Sequence, residues 1–285
     1  MKPESKPVGG SYRPVYHTQV VPQRWSEYSE TDHGIWAELV SRQSSILPGR
    51  ACDAFMSGLA RLSFPEDRIP DFEADVNPVL EALSGWNVVG VEGLIPEKAF
   101  FTHLSEKRFP VTRWIRTPEQ AGYLPEPDLF HDLYGHVPML TDPRFGDFVQ
   151  AYGKGGLRAL SLDKGIARQA IRMLTRLYWY TVEFGLIREN GGLRIYGGGV
   201  LSSSGESAYA VESGEPHRIP FNLTRAMRTA YPVDTYQETY FVIDSVGDLM
   251  RATDQDFEPL YRTLAGQPVL RPEYLQPGEK TISVA

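Results

Sequence analysis

The stretch Glu126-Pro127-Asp128-Leu129-Phe130-His131-Asp132-Leu133-Tyr134-Gly135-His136-Val137-Pro138 sets two histidines five residues apart among apolar and aromatic neighbours. Further on, Tyr178-Trp179-Tyr180-Thr181-Val182-Glu183-Phe184-Gly185-Leu186 carries a lone carboxylate, Glu183. Two imidazoles and one carboxylate are the ligand set of a non-haem Fe(II) site with positions left open for oxygen. On an uninterrupted α-helix a spacing of five turns the histidines roughly 140° apart, too far to share one ion easily. Pro127 suits a first helical turn, Gly135 can end the helix at positive φ, and Pro138 opposes continuation. The expected geometry has His131 on the helix body and His136 swinging in from its end. A zinc-protease motif differs, with histidines at i and i+4 and Glu after the first.

Glu183 is flanked by Trp179, Tyr180, Val182, Phe184 and Ile187. Burying a carboxylate there without a partner costs several kcal/mol or forces it neutral, and a metal ion resolves that cost. Residue types alone leave other readings open. A core histidine is usually a satisfied hydrogen-bonder, and Glu183 can point to solvent or pair with Arg188. Asp128, three residues before His131, shares its helical face. It can accept the second imidazole N–H and fix the tautomer, or simply decorate a helix N-terminus.

Outward from these segments the chain reads as mainly α with short β-strands, an α+β class. Helical spacing runs from Thr31 through Trp36, Leu39 and Val40, with Thr31 or Asp32 as cap, then over Asp53–Leu62 and Asp75–Leu83. Trp86–Val91 and Phe109–Arg116 are strand-like. The longest predicted helix spans Lys164–Glu189 and ends at Asn190-Gly191-Gly192. A Tyr/Gly/Ser-rich loop follows over Tyr196–Tyr209, then a helix near Leu223–Ala230 and a strand at Tyr240–Val242. Gly 26 and Pro 22 make up about 17% of 285 residues against a usual ~12%, so the fold is expected to be loop-rich.

The formal charge of -7 is spread without a basic block, which argues against a nucleic-acid partner. Arg168, Arg172 and Arg176, four apart, read as a solvated helix face. The single cysteine, Cys52, reads as a buried small hydrophobe and fits a reducing compartment, so the expected location is cytoplasmic. No stretch approaches membrane-spanning length. One domain is expected over 13–265, between a flexible tail at 1–12 and a Pro/Gly-containing tail at 266–285.

Three motifs in order carry a resemblance. Glu126–Leu140 resembles the iron-binding signature of the aromatic amino acid hydroxylases, which are tetrahydropterin-dependent monooxygenases. Tyr178–Leu186 is similar to their second signature and Tyr196-Gly197-Gly198-Gly199-Val200-Leu201-Ser202-Ser203 to their third. The likeness runs from about Tyr28 to about Leu264. It is strongest to bacterial phenylalanine 4-hydroxylases through Leu47-Pro48-Gly49-Arg50-Ala51-Cys52-Asp53 and Tyr178-Trp179-Tyr180.

The resemblance implies a catalytic domain of that type, with His131, His136 and Glu183 as ligands to Fe(II) and O2 as co-substrate. It implies a tetrahydropterin (tetrahydrobiopterin or a bacterial relative) stacked on Phe100, contacted by the backbone of Gly93 and Ile95, with Tyr178 and Asp132 lining the pocket. Asp132 stands where animal members have Glu. The implied substrate is L-phenylalanine, its carboxylate clamped by Arg116, with Asp128 orienting Arg116, His131 or both. Trp179, Phe184 and Pro127 would wall its ring, and Gly199 and Ser202 would close the pocket. Leu124 replaces a Thr of animal members, while Trp179 and Val233 match phenylalanine users. The animal regulatory domain and tetramer-forming coiled coil have no counterpart, which implies a monomer. Other outcomes within the family are tryptophan or meta-hydroxylated phenylalanine. A zinc hydrolase or a non-catalytic pterin or amino-acid sensor are the alternatives outside it. Gly153–Gly165 and Tyr123 are candidate lid segments.

Overall fold

In the computed structural model residues 20–120 and 126–284 are described. The expected tail at 1–12, together with Tyr123 and Leu124, lies outside them. The helices are α1 (Glu30–Ile46), α2 (Asp53–Leu62), α3 (Asn77–Ser84), α4 (Glu97–Ser105), α5 (Val137–Leu140), α6 (Pro143–Leu160) and α7 (Lys164–Tyr178). They continue with α8 (Gly198–Leu201), α9 (Ser204–Glu212), α10 (Leu223–Arg228), α11 (Val246–Thr253) and α12 (Glu258–Leu264). Strands β1 (Asn87–Val91) and β2 (Arg108–Thr112) pair in parallel around the α4 crossover. Strands β3 (Leu186–Glu189), β4 (Gly192–Ile195), β5 (His217–Pro220) and β6 (Thr239–Ile243) form a second sheet in the order β4-β3-β6-β5. The expected α+β class with short strands and dominant helices is the one observed.

Side-chain chemistry explains the starts of these elements. Ser29, not Thr31 or Asp32, caps α1: its hydroxyl accepts the Asp32 N–H while the Asp32 carboxylate accepts the Ser29 N–H. The core gathers Trp36, Phe55, Phe130, Tyr134, Phe145, Phe148, Tyr180 and Phe241, all essentially without exposed surface. Phe130 stacks on Tyr134 at 4.8 Å while Trp36 packs edge-on against Phe130 at 5.6 Å, which fixes the helix before His131 to α1.

Four further expectations about local structure differ from what is observed. First, Gly135 and Pro138 do not stop a helix. His131–His136 is a π-helical turn running straight into α5, and Pro138 is accommodated near the start of α5 instead of ending the helix. Second, the predicted Lys164–Glu189 helix ends early. A π-helical turn at Trp179–Glu183 follows α7, and β3 begins at Leu186. Asn190 and Gly191, both at positive φ, are the tight turn of the β3–β4 hairpin and no helix cap. Third, the Tyr196–Tyr209 segment is no loop but holds α8 and the start of α9. Fourth, Gly153 and Gly156 serve no lid. They sit inside α6, where a Cβ would meet Leu104 and Phe101 of α4 at 2.7 and 2.2 Å, so they allow close helix packing.

The C-terminal segment folds back on the body. Arg225, almost fully buried, binds Glu279 at 2.8 Å and the Tyr274 carbonyl at 3.0 Å. The Ile282 N–H donates to the Arg218 carbonyl at 2.6 Å.

Candidate metal and substrate site

The π-helical turns place the ligands. Bonding from i to i+5 brings residues five apart onto one face, so His131 and His136 converge where an α-helix would separate them. The second π-turn ends on Glu183 and aims it at the same point. His131 Nε2 lies 3.2 Å from His136 Nε2, and the Glu183 Oε2 lies 3.5 and 3.3 Å from the two. Among the described residues this is the one group of three or more His, Cys, Asp or Glu side chains suited to holding a metal.

The donor set fits a cation. The corners of that triangle lie about 1.9 Å from its centre, so an ion just off its plane reaches all three at the ~2.0–2.2 Å of such bonds. Proton bookkeeping agrees. The Ser202 hydroxyl donates to the Gly199 carbonyl at 3.3 Å, so its oxygen accepts from His131 Nδ1 at 3.0 Å. That tautomer leaves a lone pair on His131 Nε2. Burial alone would raise the Glu183 carboxyl, but the two imidazoles reverse this and hold it well below the usual carboxylate range. The site therefore presents an ionised carboxylate beside two imidazoles, and the positive charge that holds it ionised can come from a metal cation in place of a ring proton.

Triple glycine lets the third motif press on both ligand turns. A Cβ at Gly198 would lie 2.4 Å from His136 Nδ1, and one at Gly197 would lie 2.4 Å from the Glu183 carbonyl. A Cβ on Gly199 would sit 3.1 Å from both Glu183 Oε2 and the Phe184 ring.

The expected tautomer-fixing bond from Asp128 to the His131 ring is made by Ser202 instead. Asp128 is fully buried, and its oxygens accept from Arg116 Nε and Nη2, both at 2.8 Å, and from the backbone N–H groups of Arg116 and His131 at 2.9 and 3.0 Å. Burial pushes its carboxyl up, and the Arg116 bonds and charge overcome that and lower it. Pro127, half-buried, stands immediately before this carboxylate.

On the other flank Phe100 meets Tyr178 edge-on at 5.4 Å, and Tyr178 tilts against His136 at 6.5 Å. Gly93 and Ile95 lie in the link between β1 and α4, which leads into the helix bearing Phe100. Asp132 is buried and accepts the Thr112 N–H at 2.8 Å. Burial raises its carboxyl, with the histidines and the Thr112 N–H only partly opposing.

Trp179 is sandwiched. It stacks on Phe184 at 4.7 Å and on Tyr231 at 4.2 Å. Its indole N–H donates to Gln237 Oε1 at 3.0 Å. Gln237 and the buried Glu206, which accepts the Gln237 backbone N–H at 3.1 Å, carry no spacing or motif that sequence reasoning could use.

The chain belongs to the biopterin-dependent aromatic amino acid hydroxylases, whose family profile matches residues 12–264. It is 55% identical over 245 residues to a phenylalanine-4-hydroxylase of Chromobacterium violaceum, covering 86% of this chain and 80% of that one. Two crystal structures of phenylalanine hydroxylase from the same organism superpose with TM-scores of 0.86 at 50% identity. One holds iron(III) and oxidised 7,8-dihydrobiopterin, and covers 92% of each chain. The other holds iron and phenylalanine, and covers 92% of this chain and 93% of that one.

Proposed function

We propose that this protein is a phenylalanine 4-monooxygenase. It converts L-phenylalanine to L-tyrosine with O2 and a tetrahydropterin at an Fe(II) site made by His131, His136 and Glu183. The observation that carries this reading is the meeting of three ligand atoms within 3.5 Å of one another, beside a buried, carboxylate-braced arginine. Iron and reduced pterin together supply the activation of O2, redox chemistry that no side chain here provides.

The chain's own residues bind, orient and exclude water. Arg116 takes the substrate carboxylate through its planar fork, with Asp128 holding that fork in place. Trp179, Phe184 and Pro127 wall the ring, and Gly199 and Ser202 leave room beside Glu183. Phe100 and Tyr178 offer the pterin an aromatic surface, with the backbone of Gly93 and Ile95 and the Asp132 carboxyl around it. The bulk of Trp179 disfavours an indole substrate, and no side chain is required as a general base.

Residues 13–265 are proposed to act as one catalytic unit and the protein to be a monomer, which the packing of 266–284 onto the body favours. Sedimentation velocity at micromolar concentration tests this. The chain's one cysteine is free and buried, as a reducing cytoplasm would keep it, and among the described residues no helix is long and apolar enough to cross a membrane.

The deciding experiment is an aerobic assay of metal-stripped protein given Fe(II), tetrahydropterin and phenylalanine, following tyrosine. Parallel samples receive tryptophan or zinc instead. Tyrosine formed only with iron and pterin together is expected. No hydroxylated product from either amino acid with iron bound would overturn the reading.

A further inference from the structure

We infer that Gln237 is a positioning residue that sets substrate choice: its buried side-chain amide fixes the indole of Trp179, the wall of the ring pocket, and ties that wall to the 231–237 segment. The inference deepens the proposed function and rests on it for the identity of the substrate.

The aromatic wall begins at the ligands. Gly199 lies against both the Glu183 carboxylate and the Phe184 ring, and Phe184 stacks on Trp179, which stacks on Tyr231. Stacking alone resists tilting of an indole but allows sliding within its plane. The in-plane position is set by the one polar atom of the ring, Nε1, which donates to Gln237 Oε1. Gln237 is 1% exposed, so the acceptor side of that bond is shielded from bulk water. Its amide has one sensible orientation, because the oxygen must face the indole N–H and Nε2 then donates to the Pro232 carbonyl at 3.2 Å. The glutamine is itself anchored. Its backbone N–H donates to Glu206 Oε1, which also accepts the Tyr240 hydroxyl at 2.6 Å. One amide therefore joins the pocket wall on the second π-turn to the segment that carries Val233.

Gln237→Leu keeps the bulk and removes the acceptor. The indole N–H is then left without its partner at a part-buried site, and the ring shifts to find another. A displaced wall holds the phenylalanine ring loosely and admits a larger ring. The expected result is a KM for phenylalanine raised about tenfold with kcat within threefold, less tyrosine formed per pterin oxidised, and a ratio of tryptophan to phenylalanine kcat/KM raised at least fivefold. Bound iron and the melting temperature, measured alongside, should stay near wild type, as should circular dichroism.

Trp179→Phe removes the N–H and provides the control. In that background Gln237→Leu should add less than twofold to either ratio. A readout free of turnover is the emission of Trp179, taken as the difference between proteins with and without Trp179→Phe; Gln237→Leu should shift it. KM and the substrate ratio within twofold of wild type in Gln237→Leu would overturn the inference, whatever the emission does. Equal effects of Gln237→Leu with and without the indole would overturn it too. A wild-type protein that makes no tyrosine would instead overturn the substrate reading, and an unshifted emission would then dispose of the positioning role separately.

Discussion

Arg116 and Asp128 form a two-bond ion pair, Nε to Oδ2 and Nη2 to Oδ1 each at 2.8 Å, on a carboxylate with no exposed surface. The same carboxylate holds the His131 backbone N–H, so one side chain aligns the proposed substrate clamp and the first proposed metal ligand. Asp128→Asn places an amide NH2 against donors and leaves a buried guanidinium short of its counter-charge. Breaking such a pair costs about 3–5 kcal/mol, and each kcal/mol lowers the melting temperature of a chain this size by roughly 2–4 °C. We expect a clear drop in thermal stability and a raised KM for phenylalanine. A variant with unchanged melting and KM would show that Asp128 braces neither partner.

Ser202→Ala tests the tautomer argument. Without the hydroxyl, His131 Nδ1–H loses its acceptor and the ring is free to rotate or to protonate the wrong nitrogen. Loss of such an outer partner costs roughly 10–100-fold in metal affinity or activity. Titrating Fe(II) into apo-protein should show this weakening, while circular dichroism stays as in wild type. Undiminished iron affinity would mean that something other than Ser202 orients the ring.

Glu183 and the two histidines stood out in the sequence as costly residues in apolar company, but residue types alone left other readings open. The likeness of three motifs to a known family joined them into one proposed ligand set. Their geometry was not legible. A spacing of five is unfavourable on an α-helix, and the remedy expected from Gly135 and Pro138 was a helix end. The chain uses a π-turn instead, which has no side-chain signature and emerges from packing. Gly135 is there because a Cβ would press the Gly198 carbonyl at 2.5 Å. The overlong helix prediction at Lys164–Glu189 failed for a related reason. Apolar residues at Leu186 and Ile187 suit a helix face and a buried strand equally, and only sheet pairing with β6 decides. Gln237 and Glu206 were invisible, since their roles depend on contacts with Trp179 and Tyr240 that no local pattern encodes.

Gly198→Ala tests the packing of the third motif on the ligands. The added methyl would lie 2.4 Å from His136 Nδ1, closer than any Cβ contact tolerates. Either α8 or the imidazole must move, and overpacking of this kind costs typically about 1–3 kcal/mol. His136 has almost no exposed surface and little room to yield without leaving the proposed ligand cluster. Lower iron content per chain together with a lower melting temperature is the expected outcome. Full iron loading would mean that the backbone of α8 gives way instead.

Glu206→Gln addresses a buried carboxyl far from any ligand role. Burial raises the Glu206 pKa, and the hydrogen bond from Tyr240 with the Gln237 N–H only partly offsets it. The unfolded chain ionises this group near pH ~4.3. Above that pH the folded protein holds a proton that the unfolded chain has released, so stability falls as pH rises through the window up to the folded value. Glutamine keeps a carbonyl oxygen for both donors and has no charge to bury. The two proteins should therefore melt alike near pH 4, and the variant should gain on wild type as the pH is raised toward 7. Thermal melts across that range decide the point. A variant that instead loses ground as pH rises would mean that the ionised carboxylate is the stabilised form, with its charge-assisted bonds outweighing burial.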